Sequence, residues 1–171
     1  GQHETTAGCL TMLGWLKQRG VRPRWIADIG TGTGLLAIGA LKLFPTANVI
    51  ASDIDPVCAE IVEENAGNNA IALGQRPGAL HYVTAPGMNH PALASRAPYD
   101  LLIANILAGP LIELAPAFAR TLMPGARVIL AGLLTTQEAK VTRAYQRQGL
   151  RVERRIADGD WSILCLRNVR G

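Results

Sequence analysis

An apolar run, Trp25-Ile26-Ala27, leads into Asp28-Ile29-Gly30-Thr31-Gly32-Thr33-Gly34, and a helical pattern beginning Leu35-Leu36-Ala37-Ile38 leads out. The stretch reads as a strand, a glycine turn and a helix, and it restricts the fold more than any other part of the chain. The alternating glycines remove side chains that would hold a ligand off the backbone. The helix that follows directs unpaired N–H groups and its positive dipole end at whatever sits there. About 20 residues on, a second strand, Asn48-Val49-Ile50-Ala51-Ser52, ends in Asp53. An acid at that spacing, at the carboxyl end of a strand, is the usual partner of ribose hydroxyls. A turn that only closed a strand–helix unit would have no use for it.

The dinucleotide fingerprint, G-x-G-x-x-G/A, requires a small residue where this chain has Leu35. No G-K-[ST] follows, which excludes a P-loop. Asp28 stands just before the turn, and a carboxylate there suits a cationic ligand better than a pyrophosphate. S-adenosylmethionine carries an ammonium and a sulfonium and no phosphate, so a methyl donor is favoured over NAD.

With 171 residues, 49% of them hydrophobic, the chain reads as a single domain with a sizeable core, spanning 1–171. No apolar run approaches the ~20 residues of a membrane span, and the first residues lack a signal-peptide pattern. A cytoplasmic monomer is the expectation. The net charge of +4 is compatible with an RNA-associated or ribosomal partner but does not require direct nucleic-acid binding. Basic residues are scattered except at Arg151, Arg154 and Arg155, equally readable as a solvated face. Cys9, Cys58 and Cys165 form no C-x-x-C pair and read as buried thiols. His3, His81 and His90 lack metal-ligand spacing, so no metal is expected.

In chain order, Cys9, Leu10, Leu13 and Leu16 mark a helix ending near Gly20, with Thr5 or Thr6 as a cap. The helix after the turn runs to about Leu43, before Pro45. Asp55-Pro56 opens another, with Val57, Cys58, Ile61 and Val62 facing inward. Strand three is Leu80 to Thr84. Residues 85–98, rich in Pro and Gly, read as a loop on the adenine side of the pocket. Strand four, Tyr99 to Ala104, is a continuous apolar run of the buried parallel kind. A helix over Leu111 to Leu122 and a Met123-Pro124-Gly125 turn precede strand five, Arg127 to Leu133. Thr135 and Glu138 have capping-box spacing at the start of a helix that Gly149 stops. Two strands, Leu150 to Ile156 and Trp161 to Arg167, flank an Asp158-Gly159 hairpin turn. The expected architecture is α/β and Rossmann-like: a seven-stranded, mostly parallel sheet with an antiparallel terminal hairpin. That ending suits a class I methyltransferase better than a dehydrogenase.

Ligands of open α/β sheets bind beyond the carboxyl ends of the strands, where the strand order reverses. Gly30 and Asn105 should therefore face one crevice. In methyl transfer to an amine, the nitrogen must arrive neutral, and a lysine with a reference pKa of about 10.4 must first lose a proton. The Asn105 side-chain carbonyl and the backbone carbonyls after it can accept the amine N–H groups and aim the lone pair. No nearby His, Glu or Lys offers itself as a general base. In isolation, Asn105 would read as a strand-end residue satisfying a turn.

Taken together, these residues resemble the PrmA family of methyltransferases of ribosomal protein L11, over essentially the whole chain. Gly1, His3, Thr5 and Thr6 match the end of that family's F-G-T-G-x-H-x-T-T segment. Asp28 to Gly34 matches its glycine motif, and Ser52-Asp53-Ile54-Asp55-Pro56 its acidic strand end. Asn105-Ile106-Leu107-Ala108-Gly109-Pro110-Leu111 matches its strand-four motif, which with H-x-T-T makes the combination specific. The resemblance implies S-adenosylmethionine contacts from Thr6, Gly30, Asp53 and Asn105. With the reading of the motifs themselves, the expected cofactor-binding set is Thr5, Thr6, Asp28, Gly30, Gly32, Gly34, Asp53, Ile54, Asn105 and Ile106, with Asn105 as the catalytic residue. It also implies N-methylation of lysine side chains and an N-terminal amine of ribosomal protein L11. Family members carry an additional N-terminal domain that recognises this substrate, so the chain looks like an excised catalytic domain. The alternatives are methylation of another protein or RNA amine, an NAD-dependent oxidoreductase, and a non-catalytic cofactor-binding module. The strand-four motif reads Asn105-Ile106-Leu107-Ala108 where base methyltransferases have N-P-P-Y, and it lacks that aromatic, which argues against a base as substrate.

Overall fold

A computed structural model describes residues 2–171; the motif match at Gly1 lies outside them. The elements are α1 (Gln2–Gln18), β1 (Trp25–Ile29), α2 (Leu35–Leu43), β2 (Asn48–Asp53), α3 (Cys58–Asn68), β3 (Leu80–Thr84), α4 (Pro91–Arg96), β4 (Tyr99–Asn105), α5 (Ala108–Arg120), β5 (Leu122–Leu134), α6 (Glu138–Gln146), β6 (Leu150–Asp158) and β7 (Trp161–Asn168). The strands form one sheet in the order β3-β2-β1-β4-β5-β7-β6. β7 lies antiparallel between β5 and β6, and the other pairings are parallel. This is the expected sheet, terminal hairpin included.

Strand residues alternate between two cores because successive side chains leave opposite faces. Leu101 and Ile103 join α1, α2 and α3 through Met12, Leu13, Leu16, Leu41 and Val62. Leu102 and Ala104 join α4, α5 and α6 through Leu93, Phe118, Val141 and Tyr145. All three cysteines are buried free thiols.

Several local expectations are corrected. Helix α1 begins at Gln2, so Thr5 and Thr6 lie inside it and neither caps it. The loop over 85–98 contains α4: Pro91 takes the first helical position and His90 Nδ1 accepts the Ala92 N–H at 3.0 Å. In α3, Cys58 and Val62 are buried, but Ile61 (37% exposed) and Val57 (57%), which caps the helix from outside it, face outward. The Thr135/Glu138 capping box does not form. A 3₁₀ turn over Thr135–Gln137 precedes α6, and its tighter winding makes Gln137 the acceptor of the Leu134 N–H at 2.9 Å. Glu138 instead accepts from Ser162 Oγ at 2.8 Å and pairs with Arg155. Met123-Pro124-Gly125 belongs to β5 rather than to a separate turn.

The basic cluster divides along the edge strand β6. The Arg154 guanidinium lies 5.1 Å from the centre of the Trp15 ring, Arg155 pairs with Glu138 at 2.9 Å, and Arg151 is exposed. Charged side chains and the register shift between Val152 and Arg154 blunt an edge otherwise open to further strands.

Helix α1 packs closely on β7 because position 8 has no side chain: a Cβ there would collide with the Ile163 side chain. Gly8→Ala is expected to destabilise by about 1–3 kcal/mol through overpacking. On the same helix, a Cβ on Gly14 meets nothing within 4 Å, and Gly14→Ala should stabilise by about 0.5–1 kcal/mol. Urea unfolding midpoints check the pair; shifts of the same sign would contradict this packing.

Candidate functional site

The strand order reverses at β1, which lies between β2 and β4. Ile29 pairs with Ala104, so Gly30 and Asn105 follow side by side at the carboxyl edge of the sheet. The glycine turn hangs on the end of β2: the N–H groups of Gly30 and Thr31 both donate to the Ser52 carbonyl at 2.9 Å. The Gly32 N–H donates to Asp53 Oδ2 at 2.9 Å, and the Asp55 N–H to Asp53 Oδ1 at 3.1 Å. Asp53 therefore stands with both oxygens oriented by backbone.

The three glycines serve different ends. Gly32, at φ 57°, has open space where a Cβ would be, and there the backbone is bare toward a ligand. A Cβ on Gly30 would strike the Ile106 side chain, and one on Gly34 would come within 3.1 Å of Val62. Those two let the turn pack against the neighbouring elements.

Two cavities open on this edge. The first, of about 260 Å³, is lined by Thr5, Thr6, Gly30, Thr31, Gly32, Asn105, Ile106, Gly132 and Trp161 among others. The second, of about 390 Å³, is lined by Gly30, Ser52, Asp53, Ile54, Gly87, Ile106 and Leu114 among others. Gly30, Ile106 and Leu107 border both, so the two are halves of one crevice. Of the ten residues singled out in the sequence, eight come together here. Asp28 and Gly34 line neither cavity.

Asp28 is fully buried beneath the turn, where Oδ2 accepts the Thr31 hydroxyl at 2.6 Å. Its carboxylate thus braces the turn from behind instead of facing a ligand. Burial pushes the carboxyl up to about 6; the Thr31 hydrogen bond opposes that rise, and the nearby charge of Asp53 adds to it.

Sequence reasoning missed Trp161, Gly132, Gly87 and Leu114. Gly132 had a signal, since a lone glycine inside a strand often marks a bulge or a close backbone approach. Trp161 was legible only as the first residue of a strand, because nothing local says that β7 begins over the pocket.

The crevice has a definite chemical bias. Among the described residues, neither cavity has a Lys, Arg or His in its lining, and Asp53 is the one charged side chain there. Such a site would meet a phosphate with the N-terminus of α2 but with no side-chain cation among the described residues. It offers a carboxylate beside apolar walls formed by Ile54, Leu107 and Leu114, together with hydroxyl and amide groups around bare backbone. Ile54 and Leu107 are 71% and 69% exposed, open apolar surface suited to a flat ring.

The family described as ribosomal protein L11 methyltransferase (PrmA) matches residues 1–169. The ribosomal protein L11 methyltransferase of Bradyrhizobium diazoefficiens is 45% identical over 99% of this chain and 55% of its own length. The protein of the same name from Allorhizobium ampelinum is 42% identical over 97% of this chain and 55% of its own. The chain thus spans about half the length of the curated relatives it matches. The crystal structure of ribosomal protein L11 methylase from Lactobacillus delbrueckii subsp. bulgaricus superposes with a TM-score of 0.77 and 33% identity, covering 97% of this chain and 79% of that one. Magnesium protoporphyrin IX methyltransferase from Synechocystis, solved with bound SAM, shares the fold at a TM-score of 0.73 and 19% identity, over 95% of this chain and 78% of that one.

The buried Asp28 carboxyl fixes the sign of one pH effect. Its proton is held more tightly in the folded chain than in the unfolded one, where the carboxyl titrates near about 4. Below about 4 the group is protonated in both states and contributes nothing. From about 4 to about 6 the folded state binds more protons, so stability falls as pH rises, by on the order of 2–3 kcal/mol in all. Thermal melts of wild type and Asp28→Asn across this range check it. The wild type should lose ground to the variant as pH rises, and a constant difference would exclude a raised pKa.

Proposed function

The chain belongs to the ribosomal protein L11 methyltransferase (PrmA) family, and from that premise we propose that it binds S-adenosylmethionine and methylates amines of ribosomal protein L11. The observation that carries the reading is a two-part crevice whose described lining has one carboxylate, no Lys, Arg or His, and Asn105 in its first half. A cofactor with an ammonium, a sulfonium and a ribose, but no phosphate, matches that set of groups. NAD does not.

Asp53, oriented by the Gly32 and Asp55 amides, would hold the ribose hydroxyls. Ile54, Ile106, Leu107 and Leu114 would enclose the base. Thr5, Thr6, Gly30 and the bare backbone at Gly32 would receive the amino-acid end. Asp28 supports that end indirectly, through Thr31. The bound cofactor supplies an electrophilic methyl carbon and a neutral thioether leaving group.

The chain's own task is to present a neutral amine. Asn105 lines the first cavity. Its side-chain carbonyl and the Ile106 carbonyl are uncharged acceptors that would take the amine N–H groups and point its lone pair inward. The amine reaches the site after losing one proton, and the methylated ammonium releases another to solvent. Lysine side chains and an N-terminal amine are the proposed targets. The proposed setting is the cytoplasm, with the chain acting as a monomer; among the described residues no helix is long and apolar enough to cross a membrane.

Four outcomes test this reading. Calorimetric titration should show saturable binding of S-adenosylmethionine and none of NAD; the reverse would overturn it. Asp53→Ala should weaken cofactor binding by about 1.5–3 kcal/mol for each charge-assisted hydrogen bond lost. Asn105→Ala should lower turnover more than cofactor affinity, and equal losses would remove the amine-aiming role. With no described lining residue placed as a base, kcat/KM for methylation of the lysine side chains should rise about tenfold per pH unit between roughly 7 and 9, following the substrate lysine, whereas an N-terminal amine should level off at about 8. A plateau in lysine methylation below about pH 8 would point to a base within the protein.

A further inference from the structure

Strand β5 does not run regularly past the site. Leu130 pairs with Leu164 and Leu133 with Ser162, so Ala131 and Gly132 together oppose Ile163 alone. This is a β-bulge. Its effect on side-chain parity is visible in the core, where Leu130 and Leu133, three residues apart, lie on the same face of the sheet. Gly132 sits in the bulge at φ 89°.

The bulge meets the segment that follows β4. Asn105 pairs with Ala131, and the Ile106 N–H donates to the Ala131 carbonyl at 3.1 Å. A Cβ on Gly132 would fall on the Ile106 carbonyl oxygen, 2.8 Å from the carbonyl carbon and 3.0 Å from the nitrogen. These are backbone atoms, which cannot swing aside as a flexible side chain would. Gly132, Asn105 and Ile106 all line the first cavity.

We infer that Gly132 is a positioning residue for methyl transfer: its missing side chain lets the β5 bulge seat the Asn105–Ile106 segment, and so sets where both amine acceptors stand. The inference rests on the reading of Asn105 given above. Gly132 acts through the neighbouring peptide and needs no contact with substrate. Any larger residue displaces the Ile106 carbonyl, and Asn105 moves with it.

The test compares Gly132→Ala and Gly132→Asn with Gly125→Ala. Gly125 lies on the same strand at φ 78°, but a Cβ there meets only the tip of the Arg167 side chain, at 3.7 Å. It carries the same backbone strain without the collision. Gly132→Asn tolerates a positive φ better than alanine does and retains the added Cβ. Two readouts are taken, steady-state methylation of ribosomal protein L11 normalised to the cofactor-binding fraction, and hydrogen exchange of the Ile106 amide.

Both Gly132 variants should lose about 10²-fold in kcat, the scale of a 1 Å misplacement, with much smaller changes in S-adenosylmethionine affinity. Both should also lose protection at the Ile106 amide, while Gly125→Ala keeps its protection and its turnover. Equal loss of turnover in Gly125→Ala and the Gly132 variants, or unchanged Ile106 protection, overturns the inference. So does a failure of both Gly132 variants to fold while Gly125→Ala folds, which would make Gly132 a folding residue only. A wild-type chain inactive on ribosomal protein L11 refutes the proposed reaction instead, and the exchange measurement then decides the seating of Ile106 by itself.

Discussion

The parallel pairing of β1 and β4 is the constraint on which the rest of the site depends. Ile26, Ala27, Asp28 and Ile29 lie in register with Leu101, Leu102, Ile103 and Ala104, and every one of these residues is buried. The burial is two-sided, so a shift of one residue would exchange the faces of both strands and lose both cores at once. That penalty locks the register, and the register puts Gly30 next to Asn105. Two parts of the chain some 75 residues apart therefore meet at one edge without needing a direct bond between their side chains.

Backbone chemistry then shapes the edge. The Ser52 carbonyl accepts two N–H groups of the turn, and Asp53 accepts a third. Asp53 is thus shared between structure and its proposed ligand: the Gly32 hydrogen bond that orients Oδ2 also ties the turn after β1 to β2. Asp28, which from sequence resembles a ligand-facing charge, is a strut. A buried carboxylate one turn behind the backbone holds Thr31, and with it the geometry that exposes Gly32.

The crevice selects by what it lacks. A pocket for a dinucleotide places cations or a long array of helix N–H groups at phosphates. Here the lining combines hydroxyls, amides, bare backbone and apolar surface around one carboxylate. The methyl-transfer chemistry proposed for it needs no strong acid or base, only orientation and a neutral nucleophile. It is therefore consistent that no histidine or lysine stands in the lining among the described residues, and that orientation is proposed to fall to rigid backbone at Asn105, Ile106 and the β5 bulge.

Much of this was legible in the sequence, because local chemistry determines it. The glycine turn, the acid ending β2, the apolar run of β4 and the Asp158-Gly159 hairpin each announce themselves within a few residues, and together they dictate a seven-stranded sheet with one reversed strand. What failed was of two kinds. Where several local partners competed, sequence could not rank them: Gln137 displaced Glu138 as a cap, Pro91 began a helix instead of breaking one, and Val57 and Ile61 faced solvent in a helix whose phase was ambiguous. Where a role depends on distant contacts, sequence was silent. Gly132 and Trp161 join the pocket only because β7 is inserted beside a bulged β5, and Asp28 is turned from ligand to strut only by the helix packed over it. The sequence by itself determined the elements and the sheet, since propensity, periodicity and turn chemistry are local. The tertiary structure alone decided which side chains face the crevice and which support it, since that division depends on the register of strands far apart in the chain.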